Sequence, residues 1–271
     1  MMSAEPDWSP PGVDTGRANP ARVYDYWLGG THNYLADQDL GRAIAAVDPI
    51  VRPGARANRA FLGRAVRFLT DSGIRQFLDL GSGIPTQGNV HEVAQQADPA
   101  TRVAYVDIDP VAVAHSKAIL TGHPNASITH GDVREPEQIL ADVTARGLID
   151  LSQPVGLLLV AVLHFVDDAA DPWRIVGTLR DALAPGSYLV LGQGTNADKP
   201  VVAGAFEKVY NSNSATSIHM RSRAEIQRFF DGLDLVEPGL TYVSLWRPDP
   251  EDDVTGDPRQ FANLVGVARK P

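Results

Sequence analysis

Short apolar runs alternate with segments of helical periodicity along most of the chain. Runs of four to nine apolar residues indicate buried strands, whereas apolar residues spaced three or four apart indicate helices. The runs predict strands over 77–80, 103–106, 126–129, 155–163 and 188–192. The periodic segments predict helices over 87–96, 111–120, 135–145, 172–183 and 223–230. Residues 155–163 are apolar throughout, which is typical of a parallel strand covered on both faces.

This alternation predicts an α/β fold. Repeated strand–helix units form a doubly wound, mostly parallel sheet, because each right-handed crossover places the next strand parallel to the last. Two late runs, 241–246 and 264–268, are predicted to pair as a hairpin. We therefore expect a seven-stranded, Rossmann-like sheet with one antiparallel strand.

The N-terminal quarter has a different pattern. Asn19-Pro20 is a typical helix start. The helix predicted to follow is rich in aromatic residues and ends at Gly29-Gly30. This aromatic segment could simply pack on the sheet, or it could form a lid over a ligand. A second helix over 56–70 carries four arginines, of which we expect Arg59 to turn inward.

Three regions follow from these patterns. Residues 1–18 are rich in Pro, Gly, Asp and Ser without periodicity, and we predict a disordered or loosely packed lead-in. Residues 19–70 are predicted to form an N-terminal helical lid, and residues 71–271 the core.

Composition narrows the class of protein. The chain has 271 residues and no cysteine, which excludes a disulfide framework, a cysteine zinc site and a catalytic thiol. A net charge of −9 disfavours nucleic acid as a partner. The longest strongly apolar run, 155–166, is too short for a membrane span. With no signal pattern at the N-terminus, we expect a cytoplasmic protein.

Four polar residues lie at the predicted ends of consecutive strands: Asp79, Asp107, Asp132 and His164. Each acid alone could be a helix cap or a turn residue. Because parallel strands end at one edge of a sheet, where ligands bind, the acids together favour a site. The stretch 77–86 supports this interpretation, since it is a strand that ends in a glycine turn before a helix.

The acids also discriminate between cofactors. A dinucleotide fingerprint needs a small third residue at Thr86, and Asp79 would repel a pyrophosphate. S-adenosylmethionine has no phosphate and carries a sulfonium and an ammonium, both of which a carboxylate attracts. Its ribose hydroxyls and adenine amine can donate hydrogen bonds to carboxylates. The electrostatics therefore favour this cofactor over a nicotinamide dinucleotide.

Several motifs resemble class I S-adenosylmethionine-dependent methyltransferases. They are Asp79-Leu80-Gly81-Ser82-Gly83, Tyr105-Val106-Asp107-Ile108-Asp109-Pro110, Gly131-Asp132-Val133 and Val162-Leu163-His164-Phe165-Val166. The resemblance is closest to the actinobacterial "S-adenosyl methyltransferase" family, whose substrates are largely unassigned. Its distinctive marks are Arg22 to Gly30 with Asn33-Tyr34, Ala57 to Phe61, and Asn89 to Glu92. One departure is Pro85, which stands where the third glycine of the motif is usual.

The resemblance implies a cofactor site. Gly81, Ser82 and Gly83 would face the methionyl part, with Asp79 orienting its ammonium. Asp107 would hold the ribose hydroxyls, and Ile108 would line the adenine. The further residues expected at the cofactor are Asp132, Val133, Leu163, His164, Tyr26, Gly30, Asn33 and Arg59.

The methyl acceptor carries no signature in the sequence. No Asn-Pro-Pro-Tyr follows the fourth strand, which argues against DNA or glutamine N-methylation, and we expect a small-molecule acceptor. His164 is the nearest candidate for a catalytic base, although a packing histidine is the simpler interpretation. Tyr210 and His219 lie in a long stretch, 195–221, that could form the acceptor pocket. A non-catalytic protein that binds S-adenosylmethionine is the alternative, and the N-terminal helices could form a homodimer contact instead of a lid.

Overall fold

The computed structural model of the chain describes residues 8–85, 88–252 and 255–271. Thr86 and Gln87, on which part of the dinucleotide argument and one predicted helix start depend, lie outside these ranges. The first seven residues of the predicted lead-in also lie outside them.

The described residues form nine α-helices and eight strands. The helices are α1 (Pro20–Leu28), α2 (Leu35–Val47), α3 (Val51–Asp71), α4 (Val90–Ala97), α5 (Pro110–Ile119), α6 (Pro136–Arg146), α7 (Pro172–Ala182), α8 (Pro200–Asn213) and α9 (Arg223–Gln227). The strands are β1 (Gln76–Leu80), β2 (Arg102–Asp107), β3 (Ala126–His130), β4 (Gly156–Val160), β5 (Tyr188–Gly194), β6 (Asp234–Leu235), β7 (Thr241–Tyr242) and β8 (Asn263–Arg269). Five helices open on proline, whose fixed φ suits the first helical position and whose missing N–H costs no hydrogen bond there.

The strands form one sheet in the order β3-β2-β1-β4-β5-β8-β6, with β7 also paired to β8. The first five strands are parallel, and β8 runs antiparallel to β5. Both two-residue strands pair with β8 on its other side, so together they occupy one edge position. The sheet therefore has seven positions and one antiparallel strand, which confirms the predicted fold class.

Helices cover both faces of the sheet. Alternate strand residues point to opposite faces, so that Leu157 and Leu159 pack in one apolar cluster and Leu158 in the other. Buried residues of α6, α7 and α9 complete the first cluster, and those of α3, α4 and α5 complete the second. No helix in the described ranges is long and apolar enough to cross a membrane.

The predicted lid, 19–70, divides into two parts. Phe61, Ala65 and Leu69 of α3 are fully buried against the sheet, so α3 belongs to the core. In contrast, α1 and α2 share a separate apolar cluster with Phe206 and Tyr210 of α8. We call α1, α2 and α8 the cap.

Residues 8–18 of the predicted lead-in contact the cap. Ala18 is buried and its carbonyl oxygen accepts the backbone N–H of Ala215 at 3.0 Å. The Trp8 ring lies 5.0 Å from the ring of Tyr34. These contacts hold the segment against the cap, and its turns and bends account for the lack of periodicity.

Three other predicted elements differ from the structure. Strand β4 ends at Val160 because Ala161 has a φ of 61°, and a 3-10 helix follows over Leu163–Phe165. The predicted hairpin is limited to Thr241–Tyr242. The stretch 195–221, expected to be loops, contains the 14-residue helix α8.

Arg64 is buried, whereas Arg59 was the arginine expected to turn inward. Its guanidinium donates to the carbonyl oxygens of Val243 and Trp246, each at 3.0 Å, and pairs with Asp252 at 2.9 Å. Burial lowers the pKa of Arg64, although Asp252 opposes this shift. The side chain thus ties α3 to the loop that follows β7.

Arg64→Leu should lower the free energy of unfolding by about 2–4 kcal/mol, because two buried carbonyl oxygens lose this donor. Urea denaturation of the purified variant measures the change. Arg56→Leu, an exposed position on the same helix, is the matched control and should change stability by less than about 0.5 kcal/mol. Equal losses in the two variants would contradict the assigned role of Arg64.

Candidate functional site

A cavity of about 570 Å³ lies over the carboxyl ends of the parallel strands. Its floor includes residues of β1, β2, β4 and β5, and α1 and α8 cover it. This volume is typical of a small-molecule site. The position is the one at which doubly wound sheets bind ligands.

The glycine turn forms one wall of the cavity. Gly81 and Gly83 both have a φ of 69°, a conformation that favours glycine. A Cβ atom on Gly81 would lie 2.4 Å from Val162, whereas one on Gly83 would project into open space. Between them, the Ser82 hydroxyl is buried and has no hydrogen-bond partner among the described residues. Gly83 therefore leaves room for a ligand beside an unsatisfied polar group.

Asp79 lies in the cavity wall with its carboxylate buried. Burial raises the pKa of Asp79 to about 7, a shift that Arg59 opposes and Asp107 adds to. A buried carboxylate of this kind is stabilised by a ligand cation, because the cation compensates for the lost hydration. Arg59 also lines the cavity, as predicted.

Asp107 ends β2 and holds the turn in place. Its Oδ2 accepts the backbone N–H of Gly83 at 2.6 Å, and its Oδ1 accepts that of Asp109 at 2.8 Å. Burial raises the pKa of Asp107 to about 6, although these two hydrogen bonds oppose the shift. Each carboxylate oxygen has a second lone pair with which it could accept a ligand hydroxyl.

The third acid lies nearer the surface. Asp132 forms a bidentate ion pair with Arg134. Burial alone would raise the pKa of Asp132, but the hydrogen bonds from Arg134 outweigh it and lower the pKa. Ile108 and Val133 also line the cavity, and Ile108 is 48% exposed. A flat apolar ligand group at this rim would cover an aliphatic side chain that otherwise faces water.

His164 lines the cavity beyond the end of β4. Burial, with Arg221 and His219 nearby, lowers the pKa of His164 to about 3. Its Nδ1 accepts a long hydrogen bond from the backbone N–H of Gly194, at 3.5 Å. A neutral imidazole of such low basicity is a poor proton acceptor, so the structure favours the packing interpretation.

Four residues predicted to contact the cofactor do not line the cavity: Tyr26, Gly30, Asn33 and Leu163. Asn33 donates to the Asp25 carboxylate and to the Gly30 carbonyl oxygen, which organises the turn between α1 and α2. Tyr26 packs under the guanidinium of Arg52, 4.6 Å away. Leu163 is fully buried, and its carbonyl oxygen accepts from Arg221 at 2.8 Å. Tyr26 therefore contributes to packing within the cap, and Gly30 and Asn33 belong to the turn between α1 and α2.

Aromatic rings form the far end of the same cavity. We call this end the chamber; its walls are Trp27, Phe165, Phe206 and Tyr210. The Phe206 and Tyr210 rings are stacked within 6° of parallel, and Phe165 lies 5.8 Å from Tyr210. Phe165 and Phe206 were missed in the sequence, although Ala203, Phe206 and Tyr210 carry a helical spacing that indicates α8 and its buried face.

Fold and site together define an S-adenosylmethionine-dependent methyltransferase. The buried acids, the unsatisfied Ser82 hydroxyl and the space at Gly83 fit a cationic, phosphate-free cofactor. The chain belongs to the family described as S-adenosyl methyltransferase, whose match covers residues 6–271.

Solved structures agree with this assignment. A candidate methyltransferase from Thermobifida fusca is 42% identical, with a TM-score of 0.91 over 98% of this chain and 99% of that one. A DUF574 family protein from Streptomyces avermitilis is 39% identical, with a TM-score of 0.91 over 95% and 99%. An O-methyltransferase family protein from Burkholderia thailandensis is 14% identical over 87% and 61%, with a TM-score of 0.53, and shares the fold alone. No curated protein matches the sequence.

Asp79→Asn should stabilise the cofactor-free protein at neutral pH. The folded pKa of Asp79, about 7, exceeds its ordinary value of 3.8, so burial of the ionised form costs stability that grows as pH rises from 4 to 7. The variant lacks this cost, and we expect a gain on the order of 2–4 kcal/mol at pH 7 and almost none at pH 4. Thermal melts across this pH range measure it.

Asp71→Asn is the control, because Asp71 is exposed at the end of α3. It should not show a gain that grows with pH. A melting temperature of Asp79→Asn that equals the wild type at both pH values would contradict the buried, destabilised carboxylate.

Proposed function

We propose that the chain transfers a methyl group from S-adenosylmethionine to a small, largely apolar molecule bound in the chamber. The observation that supports this proposal is the continuity of one cavity, which is lined at one end by the glycine turn and at the other by aromatic rings. A shared cavity allows donor and acceptor to lie next to each other, and alignment of the reactants is what methyl transfer mainly requires.

Each residue has a defined part in this proposal. Asp79, with Arg59 beside it, would orient the cofactor ammonium, and Asp107 would accept from the ribose hydroxyls. Gly81 and Gly83 would let the methionyl part approach the backbone, while Ile108, Asp132 and Val133 would surround the adenine. When bound, the cofactor supplies an electrophilic methyl group on a sulfonium. The cap would exclude water from the acceptor.

The rival proposal is a cofactor-binding protein without turnover. The low basicity of His164 favours this rival, because the histidine that the sequence suggested as the catalytic base is a poor proton acceptor. The chamber argues against it, since a binding protein needs no second compartment beside the methionyl end. The assay is release of S-adenosylhomocysteine when the protein is given the cofactor and fractions of a metabolite extract. Cofactor binding with no release from any fraction would favour the rival.

A cytoplasmic location, the exclusion of nucleic acid and a possible homodimer stay predictions.

Asp107→Ala should weaken S-adenosylmethionine binding by at least about 100-fold. The variant loses the acceptors for the ribose hydroxyls and the anchor of the Gly83 N–H, which are hydrogen bonds to a charged group. Isothermal titration calorimetry measures the affinity, and circular dichroism confirms that the variant is folded. Asp71→Ala should bind like the wild type. Unchanged binding by a folded Asp107→Ala would show that the site is assigned wrongly.

A further inference from the structure

A second histidine stands beside His164 in the cavity wall. The backbone N–H of His219 donates to the His164 carbonyl oxygen at 2.7 Å, which fixes His219 over the end of β4. Its Nε2 lies 3.5 Å from Oδ2 of Asp167, and both residues line the cavity. The His219 side chain is 32% exposed, so both solvent and a ligand can reach the ring.

Asp167 is held in position to face this ring. Its Oδ1 accepts the backbone N–H of Ala169 at 2.8 Å and caps a short 3-10 helix. This bond leaves Oδ2 directed at His219. Because Nε2 lies toward the carboxylate, Nδ1 is the ring nitrogen left to face a ligand.

Arg221 makes this support rigid. Its guanidinium donates to the carbonyl oxygens of Leu163 and Val166, at 2.8 and 2.7 Å, and to the Asp168 carboxylate at 2.7 Å. Arg221 is itself buried, and it ties the segment after α8 that carries His219 to the segment that carries Asp167. The two members of the pair therefore keep their relative position.

The polar atoms of the aromatic side chains around the chamber are hydrogen-bonded elsewhere or buried. The Trp27 ring N–H donates to the Gly41 carbonyl oxygen, and the Tyr24 hydroxyl donates to that of Ala55. The Tyr210 hydroxyl is inaccessible to water, so that residue contributes its ring. Stacked and tilted rings bind another aromatic ring through offset and edge contacts.

We propose that His219, oriented by Asp167, is the catalytic base for an aromatic hydroxyl bound in the chamber. This inference rests on the proposed methyl transfer. The hydroxyl proton moves to Nδ1 of His219, and the oxygen keeps the electron pair. That pair forms the bond to the methyl carbon, and the pair of the broken carbon–sulfur bond remains on sulfur. The imidazolium, paired with Asp167, then returns its proton to solvent.

The hydroxyl class follows from the need for a base. An aromatic hydroxyl is protonated at neutral pH and becomes a strong nucleophile once ionised. The four aromatic residues that define the chamber offer no counter-ion to an aliphatic ammonium, and Asp167, which lines the same cavity, is paired with His219.

The test uses 4-nitrophenol, a chromophoric phenol whose ionised form absorbs in the visible. In mildly acidic buffer without cofactor, wild-type protein should enrich the phenolate form of the bound probe relative to free probe. His219→Gln should still bind the probe but lower the bound phenolate-to-phenol ratio by about tenfold. Asp167→Asn, at an exposed position, should lower it by about twofold.

The neighbouring histidine provides the matched control. His164→Gln should keep the phenolate band, because His164 is not the proton acceptor. The inference is overturned if wild type fails to bind the probe, if His219→Gln keeps the band, or if His164→Gln alone loses it. Tighter binding of cyclohexylammonium than of 4-nitrophenol would assign a cationic acceptor and overturn the hydroxyl class.

Cofactor affinity separates this inference from the proposed function. Calorimetric titration with S-adenosylmethionine should give the same affinity for wild type and for His219→Gln. Normal cofactor binding without a phenolate band overturns the base alone. Wild-type protein that does not bind the cofactor refutes the methyl-transfer proposal itself.

Discussion

The Asp107 carboxylate joins the glycine turn to the end of β2, and a chain of buried charges extends from it to the cap. Asp109, whose N–H binds Asp107, uses its own Oδ1 to cap α5 at Val111. Its Oδ2 lies 3.3 Å from Nε of Arg22 in α1, and that arginine also pairs with Asp37 of α2. Cofactor wall and cap are thus connected through consecutive ionic contacts, so neither is positioned independently of the other.

This arrangement stores a cost in the cofactor-free protein. Burial keeps the carboxyl groups of Asp79 and Asp107 at pKa values of about 7 and 6, with few cations close by. A cationic cofactor supplies the missing charge. The two buried carboxylates therefore destabilise the empty site. This favours binding of an ammonium and disfavours binding of phosphates at the same turn.

Periodicity predicted the sheet well, because buried parallel strands are continuous apolar runs and their ends carry the acids. Asp79, Asp107 and Asp132 could be assigned to one edge without knowledge of any contact. The cap was harder to predict. The helical spacing of Ala203, Phe206 and Tyr210 lies in a stretch that was interpreted as loop. Tyr26 packs within the cap, and no local sequence pattern distinguishes an aromatic residue that packs from one that contacts a ligand.

Long-range partners explain the other differences. Arg64 resembles the exposed arginines around it, and only the carbonyl oxygens of Val243 and Trp246, some 180 residues away, show that it is buried. Likewise, the acidity of His164 and the pairing of His219 with Asp167 depend on how the segment after α8 returns over β4. Sequence order contains no direct record of such contacts.

The separation of sheet and cap has an evolutionary consequence. In the proposed function, the methyl donor contacts strand ends and a glycine turn, whereas the acceptor contacts rings from α1, α8 and the segment after β4. Exchanging Trp27, Phe165, Phe206 or Tyr210 would reshape the acceptor compartment and leave the strand-end acids untouched. Under the proposed function, substitutions at a few aromatic positions would therefore change the acceptor while the residues proposed to bind the donor stay the same.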